Sequence, residues 1–303
     1  MKKTIIILIT LLLFLALPAA AKQGSPQHSL IPENTRWVIQ FDMKKFASTR
    51  LCQLLLEDDH NKISKEFKKI HEKLKIDPMK DIQWVTIFGK GREHDTAAWF
   101  CKGNFDQGYL LSLLAKSKSH EEIQHGTYTI HSWGHQFGSF IGDHLLLFAK
   151  NELMIKHVLD VFTGKEKNIG TSGTMMSYLN ELPGNAFFKA VADDIPSILG
   201  PHGKPVMLKK ARAAFFIIME KNGDLKLKLK VTTESAETAK NIEALARGFI
   251  ALGKLQKQEK DPRWKLLEDL NISLKGNTLL AEWSHPSEDL INMLSHGKKE
   301  FHY

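Results

Sequence analysis

The sequence predicts an α+β fold of two tandem repeats, each an antiparallel sheet of strand-turn-strand-helix units with helices packed on one face. Three observations predict it. Residues 30–163 and 181–297 follow one plan, an opening strand and then two such units. Gly142-Asp143, Asn222-Gly223-Asp224 and Gly276-Asn277 separate strand-patterned runs and supply the positive backbone angles of tight hairpins. Apolar residues recur at helical spacing after the strand pairs.

The copies open alike, Ile31-Pro32-Glu33-Asn34 answering Leu182-Pro183-Gly184-Asn185 and Asp42 answering Asp193 at one offset. In the first copy, strands from Gln83 to Lys90 and Thr96 to Lys102 lead into a helix; Arg212 to Lys221 and Leu225 to Thr233 do so in the second. The closing units run Phe137 to Ile141, His144 to Ala149 and a helix from Asn151, matched by Leu270 to Lys275, Thr278 to Trp283 and a helix from Ser287. Thr127 to Trp133 adds a strand to the first copy. Ile155, Val158, Leu159 and Phe162 share a helix face, as do Ile242, Leu245, Ala246, Phe249 and Leu252, and each face is expected to cover a sheet. Asn151 and Ser287 read as N-caps, with Glu152, Glu288 and Asp289 placing acid in the first turns. The alternation from Leu225 to Val231 predicts a strand buried on one side only.

The expected segments are a signal peptide (1–21), a first subdomain (22–163), a linker with a short helix (164–180) and a second subdomain (181–303). Lys2 and Lys3 precede an apolar run from Ile5 to Leu17, and Ala19-Ala20-Ala21 supplies small residues for cleavage near Ala21. That run is shorter than the ~20 residues a spanning helix needs, and no second one follows. The expectation is export to a periplasmic or secreted location, with no transmembrane segment in the mature chain.

In that compartment Cys52 and Cys101 are a candidate disulfide, which would contribute on the order of 4 kcal/mol by closing a long loop. The alternative is two buried thiols, since each lies among apolar residues. His125, His131, His135 and His144 are the densest histidine group and the candidate metal ligands, because imidazoles on adjacent hairpin strands can converge on one ion. Only local density supports them; His-Glu-x-x-His, paired cysteines and an acidic Ca²⁺ loop are all missing.

No catalytic residue and no cofactor is assigned. Asp193-Asp194 reads as a strand-end turn and Glu57-Asp58-Asp59 as a solvated helix end. Gly89-Lys90-Gly91 lacks the glycine spacing and Lys-Ser/Thr ending of a phosphate loop, and Gly-x-Ser-x-Gly does not occur. The formal net charge of +8 falls to about +6 once Lys2 and Lys3 leave. An exported basic chain does not ordinarily meet nucleic acid; an envelope protein, an acidic glycan or an anionic lipid surface are its candidate partners. Basic helix faces and the Lys226, Lys228, Lys230 row also suit plain solvation. Trp37, Trp84, Trp99, Trp133 and Trp283 fall on predicted strands, where filling between sheet and helices is the leading expectation.

Ile76-Asp77-Pro78, Lys80-Asp81-Ile82, Val85-Thr86-Ile87-Phe88-Gly89, Ile130-His131-Ser132-Trp133, Leu159-Asp160-Val161 and Gly164-Lys165 together resemble a family of uncharacterised exported bacterial proteins of planctomycete-type organisms, a domain of unknown function. The likeness spans most of the mature chain. It implies the signal peptide and the duplicated layout and brings no activity, cofactor or catalytic residue. The reading is an exported, non-catalytic binding or interaction module of the cell envelope. The alternatives are an envelope hydrolase with its site between the repeats and a histidine-based metal binder.

Overall fold

Apolar residues occupy successive positions in the middle strands, so both faces of those strands must be covered. The computed structural model describes residues 28–57, 62–91, 96–171, 173–199, 209–255 and 269–296; the predicted signal peptide, Asp58 and Asp59 lie outside them. The strands are β1 (Trp37–Asp42), β2 (Ile82–Gly89), β3 (Ala97–Gly103), β4 (Glu121–His125), β5 (Tyr128–Trp133), β6 (Gln136–Ile141), β7 (Leu145–Ala149), β8 (Phe188–Asp193), β9 (Ala211–Lys221), β10 (Asp224–Thr233), β11 (Asn271–Lys275) and β12 (Thr278–Pro286). The helices are α1 (Met43–Ala47), α2 (Arg50–Glu57), α3 (Lys62–Leu74), α4 (Pro78–Asp81), α5 (Gln107–Ala115), α6 (Glu152–Phe162), α7 (Gly173–Glu181), α8 (Ile195–Leu199), α9 (Ala236–Leu255) and α10 (Ser287–His296).

Among the described residues the twelve strands form one antiparallel sheet in the order β11-β12-β10-β9-β8-β1-β2-β3-β7-β6-β5-β4. The two expected subdomains therefore share one sheet rather than each forming its own, because β1 pairs with β8 from Trp37↔Ala192 to Phe41↔Phe188. The turns fall where glycine allows them, at Gly142, Gly276 and the Asn222-Gly223 pair, all with positive φ. Asp77 caps α4 by accepting from Met79 N at 3.0 Å, with Pro78 in the first turn.

The expectation of helices on one face is corrected. Val38, Phe88, Phe100, Leu147, Val191 and Phe215 pack with α6 and α7 through Ile155, Val158, Leu159, Met175 and Leu179. Residues of opposite parity, Phe41, Val85, Ile87, Trp99, Cys101 and Phe188, pack with α1, α2 and α3 through Phe46, Cys52 and Ile70. Helices therefore cover both faces of the central strands. The one-sided alternation of β10 does not extend to β2 or β3. The expected linker is also held in place, since Ile169 N donates to Ile31 O at 2.8 Å and α7 buries Met175 and Leu179.

One carboxylate ties the helix layer on the second face to β9. Glu220 Oε1 accepts from Arg50 N at 2.7 Å and its Oε2 from Leu51 N at 2.9 Å, satisfying free donors at the α2 N-terminus. The Ser287 hydroxyl, predicted to cap its own helix, instead donates to Glu220 Oε2 at 2.7 Å, and Arg50 pairs with Glu288 at 2.8 Å. Asn151 does cap α6, accepting from Leu153 N at 2.7 Å. Replacing Glu220→Ala should cost about 2–3 kcal/mol in urea unfolding, with Glu220→Gln recovering part of the loss. Equal stability of all three proteins would show that the carboxylate holds nothing.

Candidate functional site

Three places in the fold set polar or apolar groups where packing alone does not require them. The first is the edge of the sheet at β4 and β5, which carries His125 and His131, two of the four candidate histidines. The four do not converge. His135 occupies the β5–β6 turn with φ of 70°, while His144 lies in the turn at the other end of β6. A six-residue strand holds those turns roughly 20 Å apart. His125 ends β4 and meets Asp160 at 2.9 Å, a carboxylate that Lys165 also contacts at 3.1 Å. Burial alone would raise the Asp160 carboxyl; the bonds from Lys165 and His125 outweigh it and hold the group low. Of the predicted set, His131 alone joins a metal-type cluster among the described residues, and its companions are His120 and Glu122. Neither was selected from the sequence, because Glu121 to His125 has a single apolar residue, Ile123, and was not read as a strand.

The second place is the centre of the sheet, where Lys189, Gln40 and Thr86 stand directly opposite one another on β8, β1 and β2. All three are buried. Thr86 Oγ1 and His28 Nδ1 have no hydrogen-bond partner among the described residues, and His28 Nε2 lies 3.5 Å from Gln40 Nε2. Burial, reinforced by the Lys45 cation, pushes the Lys189 amine down to about 8, with Asp42 pulling the other way. Burial and then Lys189 lower the His28 imidazole. The signal for Lys189 was a lysine inside the run Phe187-Phe188-Lys189-Ala190-Val191.

The third place is α9. Ser235 Oγ accepts from Thr238 N at 3.1 Å at its start, and Ala239 is fully buried. Arg247 reaches Ile272 O of β11 at 2.7 Å and holds Glu243 at the same distance. On this helix Ala239 is buried and Ile242, Ala246 and Ile250 are half-buried, whereas Leu245 is 48% and Phe249 72% exposed. The expected stripe therefore splits lengthwise, and only one flank of it reaches the sheet. The Leu252 side chain lies outside the described set.

The other candidates have structural places. A Cβ on Gly89 would approach Trp37 to 2.6 Å, and Trp37 Nε1 donates to Gly91 O at 3.0 Å, so Gly89-Lys90-Gly91 seats an indole. Asp193 meets Arg36 at 3.3 Å at the end of β8. The candidate disulfide is not formed: Cys52 and Cys101 are free, buried thiols, each packed among apolar side chains. Burial pushes both up to about 12, with the Glu220 charge adding at Cys52.

No family model matches the chain, and no curated protein matches it. Solved structures of TP0453 match its fold. Crystal form I aligns with a TM-score of 0.51 at 13% identity, covering 90% of this chain and 98% of that one. Forms III and IV each give 0.50 at 12% identity. At such identity the likeness is one of fold alone. No helix among the described residues is long and apolar enough to cross a membrane.

Two outcomes follow from these environments. Ellman's reagent should leave both thiols untouched in native protein and titrate two after unfolding; none after unfolding would mean a bridge. For Lys189, the unfolded chain retains a proton that the folded chain lacks between about 8 and the ordinary 10.5, so stability rises with pH across that window. Lys189→Met should abolish the rise and stabilise the protein at pH 7 by about 1–2 kcal/mol. Urea titrations at pH 7, 9 and 10.5 read both effects, and an unchanged slope with pH would contradict the assignment.

Proposed function

We propose that this chain is an exported, non-catalytic interaction module of the cell envelope that docks the apolar surface of a protein partner onto α9. The exposure of Phe249 and Leu245, one helical turn apart, carries the reading. Large side chains adjacent on a helix and left in water are the usual mark of a surface that another molecule covers. The charges of α9 favour a protein over a lipid surface. Glu237 and Glu243 offset two of its three cations, Lys240, Arg247 and Lys254, leaving a formal charge of +1 over the helix, and Arg247 is already bound to Glu243 and to β11. A helix that lies on anionic lipid needs a basic polar face, which this balance does not supply.

Export rests on the charged, apolar and small-residue pattern of the first 21 residues. We also propose that the chain is an internal duplication. The strand order outward from β1, β1-β2-β3-β7-β6, has the same form as β8-β9-β10-β12-β11, with β4 and β5 as an addition.

A photoreactive phenylalanine analogue at position 249, expressed in the native cell, should give a protein adduct of one defined mass. The same probe at exposed Lys240 should not, and Leu245→Lys should remove the adduct. Leu245→Ser with Phe249→Ser should change stability by less than about 1 kcal/mol, since both side chains are already solvated. Crosslinking to lipid alone, or no adduct from position 249, would overturn the reading.

A further inference from the structure

We propose that His120, Glu122 and His131 form a binding site for a divalent transition metal of the zinc class. Local structure brings them together from two strands and a turn. Glu122 and His131 are direct cross-strand partners in the β4–β5 ladder, so both side chains leave the sheet on one face. His120 enters from the residue before β4, held by a turn in which its N–H donates to Ser117 O at 3.1 Å.

The donor atoms already have the spacing of a coordination shell. His120 Nε2 lies 3.1 Å from His131 Nδ1, and Glu122 Oε1 lies 3.6 Å from that same nitrogen. All three ligand atoms lie within 4.8 Å of one another. Two donors at zinc bond lengths of about 2.0–2.1 Å around a tetrahedral ion stand about 3.4 Å apart. Little movement is therefore needed to admit an ion. The imidazole planes are within 19° of parallel, and without metal the two rings share one N–H···N contact.

Chemistry favours the same class of occupant. Two imidazoles and one carboxylate suit zinc and its neighbours rather than calcium or magnesium, which prefer oxygen shells. His131 is buried, so its ring is held in place by its surroundings. Glu122 is exposed and His120 half-buried, so the site opens to solvent at the edge of the sheet. Three protein ligands leave a coordination position free for water or a further donor.

Zinc titration of the untagged mature chain by calorimetry, with native mass spectrometry for stoichiometry, tests the site. One equivalent should bind and raise the melting temperature. His120→Ala and Glu122→Gln should each weaken binding at least tenfold while leaving the metal-free melting temperature within a few degrees. His125→Ala, whose imidazole meets Asp160, should bind as the parent does. Absence of stoichiometric zinc, or one equivalent that persists in both His120→Ala and Glu122→Gln, would overturn the proposal.

Discussion

The antiparallel pairing of β1 with β8 is the constraint on which the rest of this structure depends. It joins what would be two sheets into one, along five matched residues from Trp37–Ala192 to Phe41–Phe188. Those strands lie at the middle of the sheet and enter the cores on both of its faces, Val38 and Val191 on one and Phe41 and Phe188 on the other. The helix layer follows the same logic. Glu220, carried on β9, caps α2 from the first half and binds Ser287 at the start of α10, so one carboxylate fixes helices from both ends of the chain. The junction also carries the buried Lys189, Gln40 and Thr86 row, a polar strip where apolar packing would otherwise continue.

The fold was legible wherever a local rule operates within a few residues. Gly142, Gly223 and Gly276 do adopt positive φ at hairpins, and Asn151 does cap its helix, because turn and cap chemistry depend on immediate neighbours. The face count was misread because β10, with its Lys226, Lys228 and Lys230 alternation, was taken as representative. Val85-Thr86-Ile87-Phe88 and Trp99-Phe100-Cys101 carried the opposite message, since a continuous apolar run is what a strand covered on both sides requires. Ser287 has the right residue type for a cap, but its partner, Glu220, is 67 residues away in sequence. No local signal announces such a contact.

The candidate sites were less legible than the fold. Local density grouped His125, His131, His135 and His144, but hairpin geometry sends neighbours in sequence to opposite strand ends and opposite faces. His131 finds Glu122 through strand register and His120 through a turn, so the cluster depends on β4, whose Glu121-Glu122-Ile123-Gln124-His125 lacks an apolar run. In α9 the helix was read correctly, but the expectation that the whole stripe covers the sheet was not met. What the sequence could not report was how much of it the neighbouring strands would reach, and the answer leaves Leu245 and Phe249 outside.

Native-state hydrogen exchange followed by mass spectrometry tests the junction most directly. If the β1–β8 pair makes the sheet one cooperative unit, amides of β1, β2, β8 and β9 exchange with the same opening free energy and the same denaturant dependence. Exchange of β8 to β12 through a separate opening of lower free energy, with β1 to β7 still protected, would contradict the account.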